Sequence, residues 1–296
     1  MYNHEKSLVE RIRALSRPLE PIGTALEPRL PRLPGIRCIL FDVYGTLLIS
    51  GSGDIDAMQQ VAGDEALEAA LEAVGWDYQP GCGAAGVELV VAAVKRCHEQ
   101  LRARGTAWPE VEIRQIWEEV LAVLRQRGLL EGGMPDDRQR LEEFAIEYEL
   151  RVNPVWPMPE AVETVRALAK SFRVGIVSNA QFYTPLTLQR FCKDWGIERA
   201  LCAWSFEQRC AKPDPLIFTP VLHRLEADGI LPQAVLYVGN DRLNDVMTAA
   251  SCGCRTALFA GEKRSLRLRS DVSGIETVVP DAVLTELAQL RELVTV

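Results

Sequence analysis

A chain of 296 residues, 48% apolar and 25% charged, has the balance of a folded globular protein of one large or two smaller domains and lies far from the disordered class. Its 33 basic and 41 acidic residues leave a formal charge of −8, a field that repels a phosphate backbone, so nucleic acid is not an expected partner. No run has the length and apolarity of a membrane span, and Glu5, Lys6, Glu10, Arg11, Arg13, Arg17 and Glu20 stand where a secretory leader would need its apolar core. No membrane contact and a cytoplasmic location are therefore expected.

Residues 4–16 place Leu8, Ile12 and Leu15 at helical spacing, after which Pro18, Pro21, Pro28, Pro31 and Pro34 bar any regular element. Residues 1–34 read as a helical arm and an extended linker; whether the arm packs on the body, binds a partner or stays mobile is open at this level, as is the oligomeric state. Ile36, Cys38, Ile39, Leu40 and Phe41 then form a buried-strand run that ends at Asp42 before a Gly45-Thr46 turn. Residues 49–153 carry helical patterns near 54–74, 84–104, 109–127 and 136–150 and no convincing strand; Pro109 suits a first helical turn, and Gly105, Gly128 and Gly132-Gly133 mark breaks. An insertion of this length is too long for a simple crossover and reads as a helical cap above the strand ends, with Asn153-Pro154 and Trp156-Pro157-Met158-Pro159 as its return hinge.

Apolar runs follow at 174–177, 201–204, 235–238 and 256–259, alternating with helical patterns at 160–170, 213–228 and 244–253. Strand and helix in alternation predict an α/β fold, a Rossmann-like parallel sheet with helices on both faces, formed by residues 35–48 together with 154–296. Such sheets hold their chemistry at the carboxyl ends of the strands, where this chain carries Asp42, Ser178-Asn179 and Gly239-Asn240-Asp241. The eight cysteines sit mostly inside apolar runs and read as reduced core thiols; Cys252-Gly253-Cys254 lacks the spacer and the second pair that zinc requires.

A carboxylate at the end of a buried strand, before a turn that exposes backbone N–H groups, suits a nucleophile or a metal ligand, and Asp42 is the leading candidate. Alone it could equally cap the turn. Ser178 and Asn179 offer either a hydroxyl and an amide to an anionic oxygen or a helix N-cap, and Lys212, before Pro213-Asp214-Pro215, is on its own either an ammonium for Asp42 and a bound anion or solvated surface. Asp241 and Asp245, four apart, are expected on one side of a helix's first turn, where they serve either as hard oxygen ligands for Mg2+ or as acids favoured at a helix N-terminus.

The segments Phe41-Asp42-Val43-Tyr44-Gly45-Thr46-Leu47, Ile176-Val177-Ser178-Asn179, Lys212-Pro213-Asp214-Pro215 with Phe218, and Val238-Gly239-Asn240-Asp241 through Asn244-Asp245 resemble, in order, the four motifs of the haloacid dehalogenase-like hydrolase superfamily. The resemblance covers residues 36–260 and puts the helical insertion where that superfamily has its first type of cap. It implies hydrolysis of a small anionic molecule, most simply Mg2+-dependent phosphatase chemistry through an aspartyl intermediate. Asp42, Tyr44, Ser178 and Lys212 are then the catalytic group, Thr46 and Asn179 the substrate contacts, and Asp42, the Tyr44 backbone carbonyl, Asp241 and Asp245 the metal ligands. Apart from the resemblance, Arg114, three before Trp117 on one helix, is a conceivable anion contact or else a surface or cap-core residue. Lys95 and His98 on the preceding helix are further conceivable anion contacts.

Two features depart from the superfamily's phosphatases. Tyr44 stands where they carry a second Asp as general acid and base, and a phenol is a poor substitute at neutral pH; Asn240 stands where many carry their first acid of the fourth motif. Tyr44 resembles instead the dehalogenase branch, whose aspartate displaces halide from a 2-haloacid without metal. That branch uses a cap arginine, whereas this chain has no Arg between Arg37 and Arg96, and Glu65, Glu68 and Glu72 in the interval would repel a haloacid if they faced the site. Two alternatives to a phosphatase therefore stand: dehalogenase-like hydrolysis at carbon, and a protein that has kept the fold for binding with weakened catalysis.

Overall fold

The computed structural model describes residues 2–52, 63–131 and 137–294. The arm helix α1 (Tyr2–Leu15) is followed by the extended linker, then β1 (Cys38–Phe41) and β2 (Leu48–Ser50). Next come α2 (Gly63–Ala73), β3 (Asp77–Tyr78), α3 (Cys82–Ala103), α4 (Ile113–Gln126), β4 (Leu130–Glu131) and α5 (Arg138–Val152), and β5 (Val155–Pro157) brings the chain back beside β2. The remainder alternates: α6 (Ala161–Leu168), β6 (Arg173–Ser178), α7 (Tyr183–Phe191), β7 (Cys202–Trp204), α8 (Ser205–Gln208), α9 (Thr219–Ala227), β8 (Val235–Gly239), α10 (Thr248–Ser251), β9 (Arg255–Phe259), β10 (Ala282–Leu284) and α11 (Leu290–Leu293).

Six strands form one parallel sheet in the order β10-β9-β8-β1-β6-β7. All four residues of β1 are buried, as its unbroken apolar run requires when helices cover both faces. The register is the fact that positions everything else. Phe41 lies opposite Ile176 on one side and Val238 on the other, so β1, β6 and β8 finish at one level.

The five strand runs predicted from the sequence are present. Not foreseen were β10 and the small ribbons β2–β5 and β3–β4, whose two or three residues are too short to show a period. The helix predicted over 54–74 is seen as α2; its first part, and the Gly132-Gly133 break, lie outside the described residues. The pattern over 213–228 divides into a 3-10 turn at Pro215–Phe218 and α9, because the Asp214 carboxylate accepts Leu216 N–H and restarts the chain as a new N-terminus. The pattern over 244–253 divides similarly into a π-helical turn at Arg242–Met247 and α10.

α2 to α5 pack on one another, and their apolar side chains are continuous with the core on one face of the sheet. Trp117 makes T-shaped contacts with Phe144 and Tyr148, both at 4.9 Å between ring centroids. The arm packs on the body: Leu8 and Ile12 are buried against α5 and α7, Arg11 pairs with Glu143 (3.0 Å) and Glu147 (2.6 Å), and His4 lies 2.7 Å from Glu142. Further along, Arg29 bridges Val283 of β10 and Leu33 N–H donates to Leu293 O, so the linker crosses the sheet edge. All eight cysteines are free thiols, four of them buried and four half-buried. No described helix is long and apolar enough to cross a membrane.

Trp117→Ala is expected to cost about 3–5 kcal/mol, because three aromatic rings lose their common contact. A urea midpoint unchanged within error would show that this cluster does not hold the helical layer together.

Candidate active site

The common level of β1, β6 and β8 brings Asp42, Ser178 and Gly239-Asn240 to one sheet edge, the topological switch point between strands that run to either side. Asp42 Oδ1 accepts from Ser178 Oγ at 2.8 Å and from Lys212 Nζ at 2.7 Å, while Oδ2 takes no hydrogen bond from the described residues. Lys212 is held from behind by Asn179, whose Oδ1 accepts Lys212 N–H at 2.7 Å and whose Nδ2 donates to the Lys212 carbonyl at 3.2 Å. The ammonium also donates to Asp245 Oδ1 at 2.6 Å and to the Tyr237 hydroxyl at 2.9 Å, and Tyr237 passes its own proton to the Val177 carbonyl at 2.6 Å.

Two carboxylates thus share one buried ammonium. Burial works against the charge on Lys212, but Asp245 and Asp42 outweigh it and its pKa is raised. One positive charge cannot satisfy two buried negatives. The deficit falls on the deeper acid: burial raises Asp245 to about 6, and Lys212 offsets it only in part.

Glycines make this approach possible. A Cβ on Gly239 would lie 2.3 Å from Asp245 Cγ, so the bare backbone is what lets that carboxylate reach the strand end and accept Asp241 N–H at 2.8 Å. Gly45 has φ +80° and no room for a side chain beside Asn240, a demand that only glycine meets without strain.

A cavity of about 880 Å3 opens over this cluster; Asp42, Tyr44, Asn179, Lys212, Asp241 and Asp245 reach its wall. The Tyr44 and Thr184 hydroxyls are 2.8 Å apart, and burial, reinforced by Glu149, holds the phenol well above its ordinary pKa. Tyr44 is therefore a neutral group and not a proton carrier at neutral pH.

Three expected roles need correction. Thr46 is fully buried and donates to Asn240 Oδ1 at 2.9 Å, so it holds an amide in place and does not face the cavity. Arg114 is absent from the wall; it pairs with Glu112 (2.8 Å) and Glu142 (2.9 Å) and lies over the Phe182 ring, because α4 turns that face toward α5 and α7. Asp241 and Asp245 differ in place: Asp241 precedes the helical turn as its N-cap, accepting Leu243 and Asn244 N–H, and pairs with Arg269 at 2.5 Å, while Asp245 lies within the turn and pairs with Lys212. Glu68 accepts Gly83 N–H and Glu72 accepts the Tyr78 hydroxyl, and neither they nor Glu65 reach the cavity wall.

The donors expected for Mg2+ do not fit a cation as they stand. Arg269 holds Asp241, Lys212 holds Asp245, and Asn240 is spent on both sides, its Nδ2 donating to the Ser265 carbonyl at 2.6 Å. Among the described residues no three His, Cys, Asp or Glu side chains form a group able to hold a metal.

Sequence reasoning missed Tyr237, Arg269 and Glu149. A phenol inside an otherwise apolar buried strand needs a hydrogen-bond partner, and that requirement was the available signal for Tyr237; nothing local marks Arg269. Glu149, from α5, accepts from the Tyr183 hydroxyl at 2.8 Å and from Asn153 Nδ2 at 3.2 Å, yet burial raises its pKa.

The model of the haloacid dehalogenase-like hydrolase family matches residues 36–253. A phosphoglycolate phosphatase of Photorhabdus laumondii subsp. laumondii is 27% identical over 226 residues, covering 75% of this chain and 79% of that protein. Among solved structures, the 2-haloacid dehalogenase from Pseudomonas syringae pv. Tomato DC3000 is similar in fold, with a TM-score of 0.59 at 22% identity, over 87% of this chain and 97% of that one.

Replacing Lys212 by Met is expected to destabilise the protein by about 3–5 kcal/mol, since it strands two buried carboxylates. Adding Asp245→Asn should recover part of that loss; simple additivity in urea unfolding would contradict the shared-charge account. Glu149 sets a pH effect of known sign. A carboxyl whose folded pKa exceeds its unfolded value contributes stability below the unfolded pKa and loses it as pH rises through the folded one. Wild-type stability should therefore increase as pH falls from neutrality toward the ordinary value of 4.5, and unfolding curves of Glu149→Gln should show a flatter pH profile and a gain at neutral pH.

Proposed function

The chain belongs to the haloacid dehalogenase-like hydrolase family, and from that membership we propose that it hydrolyses a small phosphorylated metabolite through a covalent intermediate on Asp42. The reading treats residues 49–153 as a cap over a catalytic core of residues 35–48 and 154–296. One observation carries it: Lys212 and Ser178 both bind Oδ1 of Asp42, which orients the carboxylate and leaves Oδ2 as the attacking oxygen. The relative among phosphoglycolate phosphatases supports phosphorus as the centre attacked.

In this mechanism Asp42 Oδ2 forms a bond to phosphorus as the ester oxygen leaves with its electron pair. Lys212 stays protonated and, with its donors kept on Asp42, Asp245 and Tyr237, offsets charge on the phosphoryl oxygens through space, while the second N–H of the Asn179 amide is available to donate to them. Water then cleaves the aspartyl phosphate and restores the carboxylate. Tyr44 gives no proton to the leaving oxygen, which forgoes a factor of about 10²–10⁴ for poor leaving groups and favours esters of acidic alcohols. No step uses Mg2+, because the acids that would hold it are paired with Arg269 and Lys212.

A second reading, attack at the carbon of a 2-haloacid, is favoured by those same paired acids and by Tyr44. The discriminating experiment is a panel of phosphomonoesters and 2-haloacids assayed with Mg2+ and with chelator, using wild type and Asp42→Asn. Release of inorganic phosphate that persists in chelator and disappears in Asp42→Asn is expected. Halide release would select attack at carbon, and loss of all turnover in chelator would show that Arg269 and Lys212 give way to a cation. Ligand binding without turnover on either class would leave a binding protein and refute the hydrolytic reading.

A further inference from the structure

α3 is 22 residues long, and one of its faces forms part of the cavity wall. Val90, Val91, Val94, Lys95, His98 and Arg102 reach that wall; at a helix's pitch they fall within an arc of about 140° and run about 18 Å along the axis. The stripe changes character along its length, from three valines to a lysine, an imidazole and an arginine.

Folding explains Val90, which is buried in the core, and Val94, which packs against it, but not the rest of the stripe. Val91 is 55% exposed and so does nothing for the core, and the Trp108 ring, 48% exposed, opens on the same cavity. Lys95 and Arg102 are exposed and have no ion-pair partner among the described residues. The acids of the cavity are, by contrast, already engaged: Asp42 and Asp245 with Lys212, Asp241 with Arg269, Glu149 with Tyr183 and Glu110 with Ser205. The volume of about 880 Å3 lies near the top of the range that holds drug-sized ligands. A two-carbon substrate at Asp42 would leave most of it to water.

We infer that the group attached to the reacting phosphate is extended and carries a second negative charge: an apolar body lies on Val90, Val91, Val94 and Trp108, and Lys95 and Arg102 receive a terminal anion. This rests on the reading of Asp42 as the reacting end. The apolar body is driven out of water by contact with the valines and the indole, and the terminal anion meets cations that form no ion pair with any described acid.

The test is calorimetric binding of four non-hydrolysable probes, ethylphosphonate, octylphosphonate, phosphono-octanoate and octane bisphosphonate, to wild type, Lys95→Ala/Arg102→Ala and Val91→Asp. In wild type a terminal anion should tighten binding about tenfold over octylphosphonate. In the double variant that ratio should fall to near one. Val91→Asp should weaken every octyl probe relative to ethylphosphonate. Equal affinity of charged and uncharged octyl probes in wild type, a ratio that persists without Lys95 and Arg102, or no binding of any probe overturns the inference. Turnover of the matching phosphate esters is read separately: charge-dependent binding without hydrolysis would defeat only the phosphatase reading, and hydrolysis without charge dependence would defeat only the second-anion site.

Discussion

The arrangement at the sheet edge depends on the ammonium of Lys212. It ties the end of β1 to the turn after β8 through Asp42 and Asp245, and its own loop is tied to the end of β6 through Asn179. Three segments distant in the chain are thereby held at hydrogen-bond separation in a place where ions are costly. The shortfall of positive charge keeps the cluster net negative, which opposes the approach of an anion, so a phosphoryl group can reach Asp42 only with the Lys212 ammonium in place beside it.

The end of β8 shows how residue identity follows from that charge distribution. Asn240 donates to a carbonyl and accepts from a hydroxyl at once; a carboxylate there would set a negative oxygen against the Ser265 carbonyl. The amide, the Arg269 partner of Asp241 and the neutral phenol of Tyr44 agree with one another. Each reduces the negative charge around Asp42, so the two departures, Asn240 and Tyr44, act in the same electrostatic direction as Arg269.

Much of this was legible beforehand because the signals are local. Continuous apolar runs announce doubly covered parallel strands, and the residues that close them fall at the sheet edge, which is why Asp42 and Ser178 could be chosen together, whereas Lys212 rests on the resemblance of Lys212-Pro213-Asp214-Pro215 to a family motif. Contacts set by long-range packing were not legible. Arg114 looks like a cavity arginine by its place on α4, but Glu112 and Glu142 take its guanidinium; Asp241 and Asp245 share a spacing, yet one precedes the helix and the other lies within it. Arg269 follows Asp241 by 28 positions, and no periodicity connects them. The short ribbons escaped notice because two residues cannot display alternation.

The arm has a mechanical corollary. α1 sits in the angle between α5, which belongs to the helical layer, and α7, which belongs to the sheet layer, and its linker is stitched to β10 on the far edge. A wide swing that parts those layers must strip Leu8 and Ile12 from one neighbour or the other, a loss of up to about 1.5–3 kcal/mol for each side chain. The arm is thus a strap across the spine of a book, resisting separation of its covers.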